Sequence, residues 1–214
     1  RSKKLLAEAG YPDGKGLPPL ELTTISSEIN QRLAEAVQQS GARTVLDYGC
    51  GLGALSLAAA RAGCTVHALD GSEVAVRHLR RIAEAERLPI CAEVADLRTH
   101  RLTELFDTVV SIGLLMFFDC ATAERALAEL ESHLLPGGTL IVNVLVEGTT
   151  YMDMFDPQGY CLFERDALTR RFSTWAIVSS TWDDFVAPGG LNKSFATVIA
   201  RKPVAASSAV PANR

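Results

Sequence analysis

Two carboxylates and a run of glycines in the first third of the chain have the types and spacing of a ligand-binding turn. Asp47 stands two residues before Gly49, and Gly51 and Gly53 follow at alternate positions. A second carboxylate, Asp70, ends the next apolar stretch. Glycine lets the backbone turn sharply and lets a ligand lie against the main chain with no Cβ between them. A glycine triplet alone is weak evidence of a binding site, but the flanking carboxylates make this combination far more specific.

The residues around the turn predict a β-α-β unit. Apolar residues 44–48 predict a strand, small residues 54–62 a helix, and residues 65–69 a second strand. The carboxyl ends of both strands then lie at one edge of the sheet, which places Asp47 and Asp70 at the same edge as the glycine turn. We therefore expect a ligand at that edge. The alternative is a tight turn in an ordinary α/β protein.

The charge of these acids discriminates between two nucleotide-like ligands. A nicotinamide dinucleotide places its pyrophosphate at the helix amino terminus, where N–H groups attract anions, and Asp47 would repel it. S-adenosylmethionine carries a sulfonium and an ammonium group, so an acid at this position suits it. Asp70 suits the ribose hydroxyls, because an ionised carboxylate accepts two hydrogen bonds at once. The residues favour S-adenosylmethionine.

The heptapeptide from Asp47 to Gly53, DYGCGLG, resembles the first motif of class I S-adenosylmethionine-dependent methyltransferases, and Asp70 resembles their ribose-binding acid. The resemblance implies an α/β fold: a Rossmann-like, seven-stranded, mostly parallel sheet with helices on both faces and an antiparallel last strand. The residues expected at the cofactor are Asp47, Gly49, Cys50, Gly51, Gly53, Asp70, Gly71, Asp96, Leu97 and Ser111. For Asp96 a second interpretation stays open, a cap for the turn after the third strand.

Hydrophobic periodicity divides the rest of the chain into helices and strands. Helices are predicted over 24–39, 73–86, 121–135 and 164–172, and strands over 90–95, 106–112, 139–146, 175–182 and 194–201. The last two strands, joined by residues 183–190, form a closing hairpin that is typical of class I methyltransferases. We expect residues 1–20 to be an appendage of unclear role, 21–202 to form the methyltransferase domain, and 203–214 to be a disordered tail.

Four residues are candidates for contact with the methyl acceptor. Met116 and Phe117 follow the fourth strand, which should leave the sheet beside the transferred methyl group. Tyr151 lies in residues 147–162, a stretch rich in aromatic and Met side chains that we interpret as a loop over the substrate, and Asp183 lies in the loop before the last strand. Core packing is the alternative for all the apolar members of this set.

Within the class, the chain is most similar to the tellurite-resistance (TehB-like) branch. The likeness spans roughly residues 20–202 and includes the segments 115–118, 136–138 and 194–202. That branch is associated with a His and Arg residues before the last strand, where this chain has Asp183 and Asp184. This difference argues against tellurite itself as the acceptor.

Methyl transfer from a sulfonium is a direct displacement, in which the protein mainly aligns the acceptor and excludes water. No histidine is placed to act as a general base, so we expect a soft or anionic small-molecule acceptor: a thiol, a tellurium or selenium oxyanion, or a small heterocyclic metabolite. No catalytic residue is assigned. Two alternatives remain, an S-adenosylmethionine-binding protein without catalysis and an NAD-dependent oxidoreductase.

Composition narrows the partners. The 214-residue chain has a formal net charge of −4, which argues against a broad nucleic-acid footprint. No apolar run reaches the ~18 residues of a membrane span, and the start of the chain lacks the apolar core of a signal peptide. The five scattered cysteines have no metal-ligand spacing and predict reduced thiols in a cytoplasmic protein. The sequence leaves the oligomeric state open.

Overall fold

The structure is a computed structural model that describes residues 35, 37, 39, 41–157 and 159–204. Residues 35, 37 and 39 are helical, in agreement with the end of the first predicted helix. The rest of that helix, the predicted appendage 1–20 and the tail from residue 205 lie outside the described residues. In the described part of the chain, no helix has the length and apolarity needed to cross a membrane.

From residue 44 onward, seven strands and four α-helices follow one another along the described chain. In order they are β1 Thr44–Tyr48, α1 Ala54–Arg61, β2 Thr65–Asp70, α2 Glu73–Glu86, β3 Ile90–Val94, β4 Phe106–Ile112, α3 Cys120–Ser132, β5 Leu134–Leu145, α4 Ala167–Arg171, β6 Ala176–Ala187 and β7 Leu191–Arg201. Two short 3₁₀ turns interrupt this series, Leu115–Phe117 after β4 and Pro188–Gly190 between β6 and β7.

All seven strands form one sheet in the order β3-β2-β1-β4-β5-β7-β6. Strands β1 to β5 are parallel, whereas β7 is antiparallel to both β5 and β6. This topology confirms the predicted class I methyltransferase fold. The strand order reverses between β1 and β4, so both of these strands end at the crevice where α/β sheets bind ligands.

Alternate residues of the central strands enter two hydrophobic layers. On one face, Val45, Val110 and Ile141 pack with the buried side chains of α1 and α2. On the other, Leu46 and Val109 pack with those of α3 and α4. Because both faces are covered, the inner strands are mostly apolar, as expected for parallel strands in an α/β protein.

Strand lengths near the closing hairpin differ from the prediction. β5 begins at Leu134 rather than at residue 139, because Leu134 already pairs with Phe106 and the Pro136–Gly138 turn expected there is part of the strand. β6 continues to Ala187, so Asp183 and Asp184 lie in a strand that pairs with β7 rather than in a loop. In both β5 and β6, pairing with neighbouring strands outweighs the local sequence preference for a turn.

The prediction that all cysteines are reduced thiols is wrong for two of them. Cys120 and Cys161 form a disulfide across a sequence separation of 41 residues. Cys120 begins α3, and the backbone N–H of Cys161 donates to the Met116 carbonyl at 3.0 Å, which places the two cysteines side by side. Spacing along the chain gave no sign of this pair because the fold, not the sequence separation, makes them neighbours. Cys50, Cys64 and Cys91 are free thiols.

Candidate functional site

The glycine turn after β1 is held against the end of β2 by backbone hydrogen bonds. The N–H groups of Gly49 and Cys50 both donate to the Leu69 carbonyl, at 2.8 and 3.0 Å. The Gly53 N–H donates back to the Cys50 carbonyl at 2.9 Å, which closes the turn and starts α1. The turn is therefore fixed by the protein's own main chain.

The three glycines of the motif have different reasons to be glycine, although all have positive φ. A Cβ on Gly49 would lie 2.9 Å from Leu114, and one on Gly53 would lie 2.4 Å from Leu79. At these two positions the absence of a Cβ leaves room for the side chains of Leu114 and Leu79. A Cβ on Gly51 would meet no atom within 4 Å, so this glycine borders open space. Gly51 is thus the position where a ligand can lie against the backbone.

Asp47 lies beneath the turn and is almost fully buried, with 4% of its surface exposed. Its Oδ2 accepts a 2.6 Å hydrogen bond from Ser56 Oγ, in the first turns of α1. Burial raises the pKa of Asp47 to about 6, and the hydrogen bonds from Ser56 oppose that rise only in part. A buried carboxylate with a raised pKa is the kind of group that a nearby cation would stabilise in its ionised form.

Asp70 ends β2, and its carboxylate connects the glycine turn after β1 to the turn after β2. Its Oδ2 accepts from the Gly51 N–H and its Oδ1 from the Ser72 N–H, both at 2.8 Å. Each oxygen keeps a further lone pair for a ligand hydroxyl. Gly71, the next predicted cofactor residue, is exposed beside Asp70. The structure therefore places Asp70 directly beside the open space at Gly51.

After β3, Asp96 makes the contacts of a turn cap, which was the second interpretation of this residue from the sequence. The Asp96 carboxylate accepts from the backbone N–H and the Nε of Arg98, and the Arg98 hydrogen bond lowers the pKa of Asp96. Leu97 is buried, and its carbonyl accepts a 2.6 Å hydrogen bond from the hydroxyl of Tyr48. Asp96 caps this turn, and Tyr48 ties the exits of β1 and β3 together.

Ser111, at the carboxyl end of β4, carries the one polar side-chain atom that is buried and without a hydrogen-bond partner among the described residues. It follows Val110, which pairs with Asp47 of β1. Buried hydroxyls are normally hydrogen-bonded, so an orphan at the crevice is consistent with a partner supplied by a ligand or water.

Beyond β4 the chain presents aromatic rings. Met116 is buried, but Phe117 is 44% exposed and contacts Phe155, with ring centroids 5.2 Å apart. Phe155 in turn contacts Tyr160, with centroids 5.5 Å apart. We call Phe117, Phe155 and Tyr160 the aromatic cluster. The Cys120–Cys161 disulfide lies next to it along both chain segments.

The loop that follows β5 is fastened to the closing hairpin. The N–H groups of Thr150 and Tyr151 donate to the Asn192 carbonyl, at 2.9 and 3.1 Å. The Lys193 ammonium lies 4.6 Å from the centroid of the Tyr151 ring. Asp183 is half-buried within β6, where its carboxylate accepts from Thr181 Oγ1 at 3.3 Å. Of the predicted acceptor residues, Phe117 and Tyr151 thus present ring surface, and Met116 is a core residue.

Several residues of this site carried no signal in the sequence. Ser56 becomes a neighbour of the motif, and Cys120 and Cys161 of one another, only through folding. Cys50, which the sequence placed among the cofactor residues, is buried in the turn, and burial raises the pKa of its thiol far above the ordinary value, so it is no thiolate nucleophile.

Comparisons with known proteins agree with this geometry. Residues 45–138 match a family described as a methyltransferase domain. The chain is 29% identical over 191 residues to Hemagglutinin 1 of Eikenella corrodens, covering 85% of this chain and 61% of that protein. It is 26% identical over 169 residues to a protein of Haemophilus influenzae named as a probable S-adenosyl-L-methionine-dependent methyltransferase, TehB, covering 74% of this chain and 57% of that one.

The crystal structure of TehB from Haemophilus influenzae superposes with a TM-score of 0.70 at 22% identity, over 80% of this chain and 62% of that one. The matched domain and these relatives together support a class I S-adenosylmethionine-dependent methyltransferase near the TehB branch. This agreement confirms the predicted resemblance. The chain spans only about three fifths of the length of these two relatives.

The residues at the crevice fit S-adenosylmethionine, the cofactor of class I methyltransferases. The open space at Gly51, the carboxylate of Asp70 beside it and the unpartnered Ser111 hydroxyl are features that an adenosyl ligand with hydroxyl and amino groups would use. Within the described residues, no group of three or more His, Cys, Asp and Glu side chains is arranged to bind a metal ion.

Proposed function

We propose that this chain binds S-adenosylmethionine at the exits of β1 and β2 and transfers its methyl group to a small-molecule acceptor. The observation that carries the proposal is the open space over Gly51, because the neighbouring glycines are filled by Leu114 and Leu79 and this one is not. Gly51 differs from other open turn glycines, such as Gly41, in that its N–H donates to the carboxylate of Asp70.

The residues have distinct roles in this proposal. Asp70 accepts hydrogen bonds from the ribose hydroxyls, while the turn at Gly51 lies against the ligand. Asp47 stabilises the positive charge from beneath the turn, through its field rather than by contact, because it is buried. Ser111 lies near the end of β4 with a buried, unpartnered hydroxyl, and Leu97 and Asp96 border the adenine side. Cys50, Gly49, Gly53 and Gly71 shape the main chain.

The bound cofactor supplies an activated methyl group. A lone pair of the acceptor forms the new bond to carbon, the sulfur–carbon bond breaks with its electron pair on sulfur, and any proton on the acceptor atom is lost to water. The protein contributes by aligning the acceptor and excluding water, which in well-oriented reactions lowers the barrier by about 7–11 kcal/mol. Phe117 and Tyr151 are the acceptor-side residues that this proposal uses, with thiols, selenium or tellurium oxyanions and small heterocycles as the acceptors to compare.

The test is to fill the open space. Gly51→Ala adds a methyl group where the ligand would lie, and we expect S-adenosylmethionine affinity, measured by calorimetry, to fall at least about tenfold because a steric clash of this kind displaces a close contact. Gly41→Ala is the matched control: Gly41 also has positive φ and open surroundings, but it precedes β1 at the opposite edge of the sheet.

Equal affinities in the two variants would contradict the proposed position of the ligand. Binding of NAD in place of S-adenosylmethionine would favour the oxidoreductase alternative. Binding without formation of S-adenosylhomocysteine, over a panel of thiols, selenite, tellurite and heterocyclic amines, would favour a binding protein without catalysis.

A further inference from the structure

The aromatic cluster begins close to the glycine turn. Leu114, whose side chain packs on Gly49, is followed at once by the 3₁₀ turn Leu115–Phe117. Phe117, the last residue of that turn, is the first ring of the cluster. The cluster therefore starts within one turn of the chain from the main chain that would hold the methyl donor.

The cluster is an exposed surface held by fixed contacts. Phe117 is 44% exposed and Tyr160 is 37% exposed, while Phe155 lies between them and contacts both. The segment that carries Tyr160 is fastened at its next residue by the disulfide and by the hydrogen bond from Cys161 N–H to the Met116 carbonyl. The rings are therefore positioned before any ligand arrives, and their faces can stack on another planar ring.

The charge of the surrounding segment determines which charge a bound ligand should carry. Residues 147–160 contain three carboxylates, Glu147, Asp153 and Asp156, and no Lys, Arg or His. Asp119, which caps α3 next to the cluster, keeps a lowered pKa through its hydrogen bonds from Thr122. Two cations lie at the other end of the segment: Lys193 over the Tyr151 ring, and Arg165, whose Nη2 lies 3.6 Å from where a Cβ on Gly148 would be. Aromatic faces with nearby carboxylates favour a cation over an anion.

We propose that the aromatic cluster is the acceptor-binding surface and that it selects a planar ring bearing a basic nitrogen. This inference rests on the proposed function, which makes the chain a methyltransferase with an acceptor site. It narrows the acceptors from thiols, oxyanions and heterocycles to cationic ring compounds. Oxyanions such as selenite and tellurite lack a ring to stack and carry the wrong charge for this segment. In the transfer step the bound ammonium first loses a proton to water, and the lone pair this leaves on nitrogen forms the new N–CH₃ bond while the S–CH₃ bond breaks with its electron pair on sulfur; the methylated product leaves as an ammonium ion.

Two probes with the same ring and opposite charge test the proposal: tryptamine, a cation, and indole-3-propionate, an anion. Binding is measured by calorimetry in the presence of S-adenosylhomocysteine. We expect tryptamine to bind about tenfold more tightly than indole-3-propionate, because the carboxylates and rings both favour the cation. Selenite should show no binding that either probe displaces.

Variants locate the binding surface. Phe117→Ala and Phe155→Ala should each weaken tryptamine binding at least about fivefold through the lost ring contact. Leu105→Ala, at an apolar residue that is 55% exposed before β4 at the opposite edge, is the matched control and should leave it unchanged. Asp153→Asn should reduce the preference for tryptamine over indole-3-propionate with the ring contacts intact.

Unchanged tryptamine affinity in both ring variants, or tighter binding of indole-3-propionate than of tryptamine, would overturn the inference. Titration with S-adenosylhomocysteine alone separates this result from a failure of the proposed function. If that ligand binds and the ring variants have no effect, only the acceptor surface is wrong; if it does not bind, the donor site itself is wrong, and the tryptamine measurements still decide whether the surface recognises a cationic ring.

Discussion

At the scale of single residues, Asp47 is the group whose environment departs most from that of an exposed carboxylate. Burial raises its pKa to about 6 from an unfolded value of 3.8. Between these two values the folded chain holds a proton that the unfolded chain has lost. The free energy of unfolding must therefore fall as pH rises through this window. Above about pH 6 the folded chain has also lost the proton, and the stability that the protonated carboxyl group contributes is gone.

The first prediction is that Asp47→Asn removes this pH dependence. Above pH 6 the variant should be more stable than the parent chain, by roughly 1–3 kcal/mol, because it does not bury a charge. Urea unfolding at pH 5, 6, 7 and 8 measures the difference. Asp153→Asn, at an exposed position, is the control and should show no such trend. A stability difference between parent and Asp47→Asn that stays constant from pH 5 to 8 would contradict the burial argument.

The second prediction concerns donor binding by the same group. A cationic ligand stabilises the ionised carboxylate, so S-adenosylmethionine affinity should rise from pH 5 to pH 7 in the parent chain. In Asp47→Asn the affinity should be weaker at pH 7 and nearly independent of pH. Calorimetry at the two pH values decides, and a parent affinity that falls with rising pH would show that Asp47 does not act on the donor's charge.

Tyr48 provides a third prediction at this scale. Burial raises the pKa of Tyr48 to about 12, so its hydroxyl stays protonated and donates to the buried Leu97 carbonyl. Tyr48→Phe should lower the free energy of unfolding by about 1–3 kcal/mol, because the carbonyl loses its partner. Tyr160→Phe, at an exposed ring, should change stability little. Equal effects of the two variants in urea unfolding would argue that the Tyr48 hydrogen bond contributes nothing.

At the scale of elements, the disulfide is the covalent link between α3 and the segment that ends the loop after β5. It closes a loop of 41 residues, and such closure restricts the unfolded chain. We therefore predict that Cys120→Ser/Cys161→Ser lowers the free energy of unfolding by about 2–4 kcal/mol. Because the link also fastens Tyr160 and its neighbours, the variant should weaken tryptamine binding more than S-adenosylhomocysteine binding.

Reductant provides the comparison for this prediction. It should lower the stability of the parent chain to that of the double variant and leave the double variant unchanged. Cys91→Ser, at an exposed free thiol, should respond to reductant like the parent. Alkylation of both Cys120 and Cys161 in the native, oxidised protein would show that the bond does not form.

At the scale of the whole molecule, the sheet couples the donor site to overall stability. The glycine turn, Asp70 and Tyr48 join the exits of β1, β2 and β3, so a ligand bound there stabilises only the folded sheet. A ligand at about a hundred times its Kd adds about 2.7 kcal/mol, which for a chain of this size raises Tm by roughly 5–10 °C. We predict this shift with S-adenosylmethionine and none with NAD, measured by thermal unfolding. An equal shift with NAD would contradict it.

Much of this architecture was predictable because its signals are local. One stretch of chain contains the turn from Asp47 to Gly53, the small residues of α1 and the acid at the end of β2. The glycines indicate a sharp backbone turn, and the acids indicate the charge of the ligand. The succession of apolar segments then predicted the strands and the closing hairpin, and the resemblance to class I methyltransferases predicted that the last strand is antiparallel. For these features, sequence neighbours are also spatial neighbours.

The sequence by itself thus determined the fold class and the resemblance to class I methyltransferases, and it predicted the edge of the sheet where a donor would bind. Only the tertiary structure decided which glycine borders open space, that Asp47 is buried against Ser56, that Cys120 bonds Cys161, and that Phe117, Phe155 and Tyr160 form one surface. The physical reason is that these properties depend on contacts between residues far apart in the chain. Such contacts leave no periodicity or spacing in the sequence.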